Sequence, residues 1–472
     1  MDYLDTIIGW WQPEQHTIAV SLFLRILGVM YFLAFSSLIV QVKGLLGRRG
    51  ILPVRDFLAY VRRIGPKRFY YIPSVFWLSS SDAALLFMCL AGMAAAVLLA
   101  AGIAPLIMLI ILYVSYLSFK SVGEDFLNFQ WDALLLEVGF ASILLAAAPS
   151  MAALLLVWFI LFKFMVMAGM AKIVSKDQNW RSLKAMAYHY QTQPLPNPLS
   201  WAAHNLPLWF HKLSVAGMLV IEIAVPMLIF GPADGRTIAF WLFAALQFAI
   251  AATGNFGPFN LFSTALAIPL LDDNILSPFA SFLLPLPPAI PAIAVDAAAV
   301  LLIIASSVHI IRMLFPGAPG RGLLNLIEPF DVSNPYGLFA VMTTKRYEII
   351  MEWSKDGEKW HEYAFRWKPQ GTKASPPVSA PHMPRLDWMM WFLPFAPYES
   401  NPWFLRFMEK LLQNSPEVCG LLRTSPDEPP RFVRALAYEY TFTDPATRKR
   451  TGDIWSRRLT GEYAPKTSIR DL

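Results

Sequence analysis

A group of polar residues interrupts the apolar stretch FLNFQWDALLLEVGF in the first third of the chain. Gln130, Asp132 and Glu137 lie around the start of a predicted helix, and a carboxylate at membrane depth is costly unless it has a partner or a role. Two interpretations are open. Either both carboxylates face a cavity as a proton or cation site, or Asp132 caps its helix and Glu137 pairs with a neighbouring helix.

The segment 177–213 is dense in aromatic, histidine and proline residues. Its prolines keep much of it extended, and its histidines lack the tight spacing of a metal site. The composition favours an aromatic belt at the membrane surface, with a structured binding loop as the alternative. The candidate residues in this segment are Trp180, Arg181, Tyr188, His189, Tyr190, Asn197 and His211.

Two more polar candidates are Glu222, inside an apolar segment, and Asn255, between two apolar segments. Glu222 is buried by its position in GMLVIEIAVPML, and Arg25 in the first apolar segment is a candidate partner. Asn255 belongs to TGNFGPFN, which predicts a tight turn, with a broken helix lining a polar cavity as the alternative. Both residues are candidates for a functional role.

A further cluster lies near the C-terminus, in APHMPRLDWMMWF. His382, Arg385, Asp387 and Trp388 either form a site or pack a helix against a sheet. The chain has no GxSxG, HExxH, Walker or GxGxxG signature in a suitable context. We therefore assign no catalytic residue, no metal and no cofactor.

The elements that position these residues follow from the distribution of charge. Apolar residues make up 56% of the chain, charged residues 15%, and the mean hydropathy is +0.46. Residues 1–313 hold only 18 of the 39 Lys and Arg residues and 15 of the 33 Asp and Glu residues. The sequence therefore predicts a multi-pass membrane domain over 1–313, a Pro- and Gly-rich linker over 314–324 and a soluble domain over 325–472.

Apolar runs long enough to approach a bilayer crossing set the predicted helix count at about nine. They lie at 17–41, 82–102, 104–119, 131–147, 151–171, 213–231, 237–253, 257–271 and 291–313. The runs at 131–147 and 257–271 are the weakest, and either is a candidate for a re-entrant segment.

Basic residues concentrate in the loop between the first two helices, which carries Lys43, Arg48, Arg49, Arg55, Arg62, Arg63, Lys67 and Arg68. Basic loops stay in the cytoplasm. Nine crossings then place the C-terminal domain in the cytoplasm as well. Because the positive charge flanks membrane segments, we expect membrane lipids and no nucleic acid among the partners.

The C-terminal region shows strand patterns. YEIIMEWSKDGEKWHEYAFRW predicts a hairpin around its Asp-Gly turn, and RFVRALAYEYTFTD alternates apolar and polar residues. Amphipathic helices are predicted in RLDWMMWFLPF and NPWFLRFMEKLLQNSPEVCGLL. The predicted domain is mostly β, sandwich-like, with inserted helices.

Several long motifs in one order resemble the lipase maturation factor family over nearly the whole chain. They include FQWDALLLEVGF, NWRSLKAMAYHYQTQPLPNPLSWAAHNLPLWFHK, TGNFGPFNLFSTALAIPLLDD and YGLFAVMTTKRYEIIMEWSKDG. Trp353, Met383 and Met389 depart from the family's usual residues.

The resemblance implies a membrane-bound, chaperone-like factor that assists the folding and assembly of secreted lipases. It implies the endoplasmic reticulum membrane in a eukaryote, or the inner membrane in a bacterium, with the C-terminal domain on the lumenal side. That side is the opposite of the one the charge pattern predicts. The alternative is a membrane enzyme with an intramembrane polar pocket, related to carboxylase-like helical domains.

Overall fold

The computed structural model describes residues 13–282 and 289–471. In these ranges, eight helices are long and apolar enough to cross a bilayer. They and a shorter helix, α8, follow in chain order: α1 (Thr17–Ile39), α2 (Asp82–Ala100), α3 (Pro105–Val122), α4 (Gln130–Ala147), α5 (Met151–Val174), α6 (Leu208–Ile223, continued by the 3-10 turn Val225–Phe230), α7 (Ala233–Thr253), α8 (Phe259–Leu266) and α9 (Ala292–Leu314). The predicted membrane helical domain is confirmed.

The eighth of the nine predicted segments, 257–271, forms α8 and the 3-10 turn Ile268–Leu270. Just before it, Asn255 donates to the carbonyl of Pro377 in the C-terminal region. Just after it, the carbonyl of Leu271 accepts a hydrogen bond from His16 at the start of α1, 3.1 Å away. The short segment therefore leads from one end of the bundle to the other, and the described chain makes nine passes between the two ends.

The C-terminal domain packs on the end of the bundle that carries the basic loops, which we call the domain end. Ser415 Oγ donates to the carbonyl of Arg49 in the loop between α1 and α2 (2.8 Å). Trp391 donates to the carbonyl of Thr192 in the loop between α5 and α6 (2.7 Å). Short helices fill these two loops: Val42–Leu46, Val54–Val61, Arg68–Tyr71, Gln178–Arg181, Met186–Thr192 and Pro198–His204.

Small residues allow α1 and α2 to approach closely. A Cβ on Gly28 of α1 would lie 2.6 Å from the backbone nitrogen of Ala100 and 2.8 Å from the carbonyl oxygen of Ala96. Between membrane helices, such small residues let the backbones pack without an intervening side chain. Helix α5 is central in the bundle, because it packs against α4, α6, α8 and α9.

The C-terminal domain contains one antiparallel sheet in strand order β2-β1-β3-β4. Its strands are β1 (Arg346–Ser354), β2 (His361–Glu362), β3 (Phe432–Phe442) and β4 (Trp455–Thr467), and its longer helices are α10 (Arg321–Ile327), α11 (Arg385–Met390), α12 (Pro402–Leu412) and α13 (Pro445–Thr451). The predicted hairpin is present, since β1 pairs with β2 through Trp353 and His361.

The sandwich prediction differs from the structure in one respect: the described strands form a single sheet. Helix α12 supplies the apolar cover that a second sheet would provide. Its buried side chains include Trp403, Phe404, Phe407 and Leu411, and they join the same core as Ile349 of β1. A soluble domain following the membrane domain is otherwise as predicted.

Candidate functional site

A buried ion pair joins the C-terminal domain to the bundle. Arg385, the first residue of α11, places its guanidinium against Asp132 in the first turn of α4, with Nη2–Oδ1 at 2.8 Å and Nη1–Oδ2 at 3.0 Å. Tyr116 of α3 donates to the same carboxylate, and the carbonyl of Phe126 accepts from Arg385. Two parallel N–H···O bonds fix both distance and orientation.

Aromatic rings enclose this pair. The guanidinium lies 4.7 Å from the ring centroid of Trp131, and the Asp132 side chain is fully buried. Asp132 also accepts from the backbone nitrogen of Phe129, as the helix-capping interpretation predicts. We call the contact surface around Asp132 and Arg385 the junction.

Helix α1 extends the junction through two side chains near its C-terminal end. Ser37 Oγ accepts from the backbone N–H of Met383 (2.9 Å) and bonds His382 Nδ1 (3.0 Å). Gln41 donates to the carbonyl of Met383 and accepts from the backbone N–H of Arg385. These bonds hold the chain leading into α11 in a fixed register against α1.

Asn255 is a second point of attachment. Its Oδ1 accepts from the backbone N–H of Ser379, and its Nδ2 donates to the carbonyls of Pro377 and Pro196. The amide thus uses both its donor and its acceptor groups to hold three segments together. TGNFGPFN is a break between two helices at the domain end, and Asn255 satisfies backbone groups there.

Glu137 of α4 binds the chain that precedes the sheet. Its carboxylate accepts from Lys163 Nζ of α5 and from Tyr336 Oη, both at 2.5 Å, and from the backbone N–H of Asn334 at 3.1 Å. The Lys163 and Glu137 side chains are fully buried. The predicted pairing with a neighbouring helix is therefore present, and the segment 331–337 is docked by it.

Glu222 of α6 pairs with Lys172 of α5 at 2.7 Å. The predicted partner, Arg25, was wrong: its guanidinium lies against Gly102, beyond the end of α2. Lys163 and Lys172 are nine residues apart, about two and a half helical turns, so they point to opposite faces of α5. Sequence reasoning missed both lysines, although a lysine inside an apolar helix is itself a signal of a paired or functional group.

The other predicted candidates lie around the domain end and make separate contacts. Gln130 accepts from the backbone N–H of Gly337, Trp180 donates to the carbonyl of Phe339, and Trp388 packs on Phe129 and Phe256. His189 packs on Phe339, Tyr190 packs on His211, Asn197 caps the helix Pro198–His204, Tyr188 is half-buried, and Arg181 is exposed.

Sequence reasoning also missed Arg346 at the start of β1. Its guanidinium is buried and donates to the carbonyls of Gln191, Gln193 and Pro194 in the loop before α6. Glu348, two residues along the strand, pairs with it and also with Lys368 at 2.8 Å. Its contact with the bundle could not be read from local pattern, because the three carbonyl acceptors are more than 150 positions away in the sequence.

A cavity of about 380 Å³ lies beside the junction and is lined by Gln41, Arg366, Trp367, His382 and Asp387, among others. Burial raises the pKa of the Asp387 carboxyl to about 6, although the backbone N–H groups of Trp367 and Lys368 bond its Oδ1. Burial, followed by the nearby charges of Arg385 and Arg366, lowers the pKa of His382 to about 4. Folding therefore shifts both groups toward their neutral forms: His382 stays neutral down to about pH 4, and Asp387 takes up a proton below about pH 6.

These two shifts predict opposing pH dependences. Between pH 6 and 4, the folded state holds a proton on Asp387 that the unfolded state loses, so acidification raises the unfolding free energy through Asp387. Between pH 6.5 and 4, His382 is protonated more readily in the unfolded state than in the folded state. Acidification therefore lowers the unfolding free energy through His382. Each contribution is up to about 3 kcal/mol.

We therefore expect Asp387→Asn to lose stability relative to the unmodified protein as the pH falls from 6.5 to 4.5, and His382→Gln to gain relative stability. Thermal unfolding of the detergent-solubilised chain across this range measures both slopes. The matched control is Asp427→Asn, at an exposed position of the same domain. Slopes for both junction variants that match the unmodified protein would contradict the assignment.

The arrangement is suited to holding two parts of the chain together. The acidic candidates of the bundle lie in three separate ion pairs, Asp132–Arg385, Glu137–Lys163 and Glu222–Lys172. Among the described residues, no group of three or more His, Cys, Asp or Glu is placed to hold a metal ion. These features define a polytopic membrane protein with a C-terminal domain fixed to one end of its helix bundle.

Comparison with known proteins identifies the family. Residues 18–278 match the lipase maturation factor transmembrane domain, and residues 332–465 match the lipase maturation factor C-terminal domain. The chain therefore belongs to the lipase maturation factor family, as its motifs suggest.

Individual relatives cover both domains. Lipase maturation factor 2 of Gallus gallus is 31% identical over 95% of this chain and 81% of its own length, and the Homo sapiens protein of that name is 31% identical over 95% and 82%. Lipase maturation factor 1 of Bos taurus is 30% identical over 95% and 89%. No solved structure matches the chain.

Proposed function

We propose that the chain is a membrane-bound maturation factor that assists the folding and assembly of secreted lipases. The observation that carries the proposal is the similarity to lipase maturation factors 1 and 2, which extends across 95% of the chain and through both domains. A role that needs both domains also agrees with the number of bonds that hold them together at the junction. The host membrane is the endoplasmic reticulum membrane in a eukaryote or the inner membrane in a bacterium.

The alternative function, a membrane enzyme, is not supported. It requires the intramembrane polar residues to converge on one pocket. Instead, Glu137 and Glu222 lie on opposite sides of α5, each paired with its own lysine, and Asp132 is occupied by Arg385.

Clients are met at the domain end in this proposal. At the opposite end, the connections α2–α3, α4–α5 and α6–α7 are short turns at 101–104, 148–150 and 231–232. The domain end carries the four-stranded sheet, α11, α12 and the long loops. A folding protein needs a surface of several hundred Å² on each partner, and among the described residues the domain end offers the larger folded surface.

A reporter that is active in only one compartment shows on which side of the membrane the domain end lies. Fusions after Leu472 and within the basic loop near Arg62 are expected to report the same side, and a fusion within the turn 148–150 the opposite side. A client role for the C-terminal domain further requires that the first two be lumenal or periplasmic. The positive-inside tendency favours the cytoplasm, but long domains translocate largely regardless of charge. A cytoplasmic C-terminus would overturn the client role of this domain.

A further inference from the structure

A large open groove lies at the domain end, away from the junction. Its volume is about 980 Å³, and its lining includes Lys67, Tyr71, Arg321, Asn325 and Leu326. One wall comes from the loop between α1 and α2, and the other from α10, which follows α9. We call it the basic groove.

Tyr70, which is part of the groove lining, holds the two walls together. Tyr70 Oη donates to the carbonyl of Leu326 at 2.5 Å, and the Tyr70 ring packs edge-on against Phe330. The lining residues lie 7 to 15 positions along the chain from spanning helices, since α2 begins at Asp82 and α9 ends at Leu314. The basic groove therefore lies close to the level at which these helices leave the bilayer.

Exposed apolar side chains belong to both walls of the basic groove. Tyr71 on one wall and Leu326 on the other are 50% and 60% exposed, and Phe69, next to Tyr70 in the chain, is 53% exposed. Aromatic and aliphatic side chains interspersed with lysine and arginine beside a membrane surface are typical of segments that lie in the lipid interface. Such residues would be costly to expose to water but are stable against lipid.

The charge of the groove is positive. Lys67 and Arg321 are both exposed, and Glu328 is the acidic residue of the lining. The loop that forms one wall carries eight basic residues between 42 and 81 and one acidic residue, Asp56. A guanidinium and an ammonium facing one space at the membrane surface are suited to a phosphodiester, because both donate charge-assisted hydrogen bonds to its oxygens.

We propose that the basic groove binds the headgroup of an anionic phospholipid. Lys67 and Arg321 contact the phosphate, and the acyl chains follow the apolar surface around Leu326 into the bilayer. Juxtamembrane basic residues attract anionic lipids by about 1 kcal/mol each. The proposal concerns a surface separate from the junction, and it holds whether or not the client is a lipase.

The test measures lipid binding by the full chain purified in a neutral detergent. The probes are dioctanoyl phosphatidylglycerol and dioctanoyl phosphatidylcholine, and the variant is Lys67→Gln/Arg321→Gln. The matched control is Lys449→Gln/Arg450→Gln, which removes two exposed cations from α13. We expect the unmodified chain to prefer phosphatidylglycerol, the groove variant to lose that affinity about tenfold or more, and the control to keep it.

Three results would overturn the proposal. The first is equal affinity of the unmodified chain for the two lipids. The second is unchanged phosphatidylglycerol binding by the groove variant when its thermal stability matches that of the control. The third is binding of sn-glycerol 3-phosphate as tight as that of the whole lipid, which would indicate a site for a soluble phosphate compound.

Discussion

Replacement of Asp132 by Ala is expected to loosen the C-terminal domain and to cost about 3–5 kcal/mol of unfolding free energy. The guanidinium of Arg385 is 1% exposed and would stay in an aromatic enclosure without its carboxylate. Tyr116 would lose its acceptor in the same step. Removal of one partner of a buried pair leaves the other as a buried charge without its counter-charge, which makes this loss much larger than that of a surface pair.

Thermal unfolding in detergent and limited proteolysis of the linker near 315–320 measure the effect of Asp132→Ala. The matched control is Asp125→Ala, which removes an exposed carboxylate one turn before α4. The double variant Asp132→Leu/Arg385→Met removes both charges and is expected to recover much of the lost stability. A single variant as stable and as protease-resistant as the control would show that the ion pair does not hold the domain.

Replacement of Glu137 by Ala is expected to have an effect of similar size, about 3–5 kcal/mol, inside the bundle. It leaves Lys163 buried without its carboxylate and also removes the acceptor of Tyr336 Oη and of the Asn334 N–H. The segment 331–337 should then detach from α4, because the remaining bonds to it are fewer.

The chain offers a matched comparison in Glu222→Ala, which breaks the second lysine–glutamate pair on α5. The Lys172 and Glu222 side chains are slightly exposed, at 4% and 9%, whereas Lys163 and Glu137 are at 0%. We therefore expect the smaller loss at Glu222. Hydrogen exchange at residues 331–337 should rise in Glu137→Ala and stay unchanged in Glu222→Ala. Equal protection of that segment in both variants would contradict the docking role of Glu137.

The membrane helices were predictable because hydropathy is a local property. Each apolar run needs only its own residues to satisfy its backbone in lipid, so the predicted segments match the observed helices closely. The segment 257–271 was one of the two weakest predictions, and the structure gives the reason for its short length. Its helix, α8, has only eight residues, and most of them are buried. Because it is covered by other helices, it does not need to be as long as a helix that crosses the bilayer in contact with lipid.

The partners of the polar residues were not predictable from local pattern. Asp132 and Arg385 are 253 positions apart, and their pairing depends on how the C-terminal domain sits on the bundle. The partner predicted for Glu222 was wrong for a related reason: hydropathy identifies the membrane helices but does not show which of them are neighbours. Lys163 and Lys172 could have been predicted as paired residues. A charged residue inside an apolar membrane helix is costly unless it has a partner, and this holds for the two lysines as it does for Glu137.

In the C-terminal domain, β1 and β3 were predictable from their local residue patterns. Seven of the nine residues of β1 are buried, so both of its faces are covered, and the sequence pattern did not show by what. Helix α12 presents Trp403, Phe404 and Phe407 toward the core, so a single sheet is sufficient.

The central claim, a role in lipase maturation that depends on both domains, is tested most directly by co-expression with a secreted lipase. The measurement is the enzymatic activity per milligram of lipase recovered outside the cytoplasm, with the unmodified chain, with Asp132→Ala or with neither. We expect the unmodified chain to raise this specific activity, and Asp132→Ala, at equal membrane abundance, to raise it much less. Specific activity that is the same with and without the unmodified chain would contradict the proposed function, and a full effect of Asp132→Ala would contradict the role of the junction.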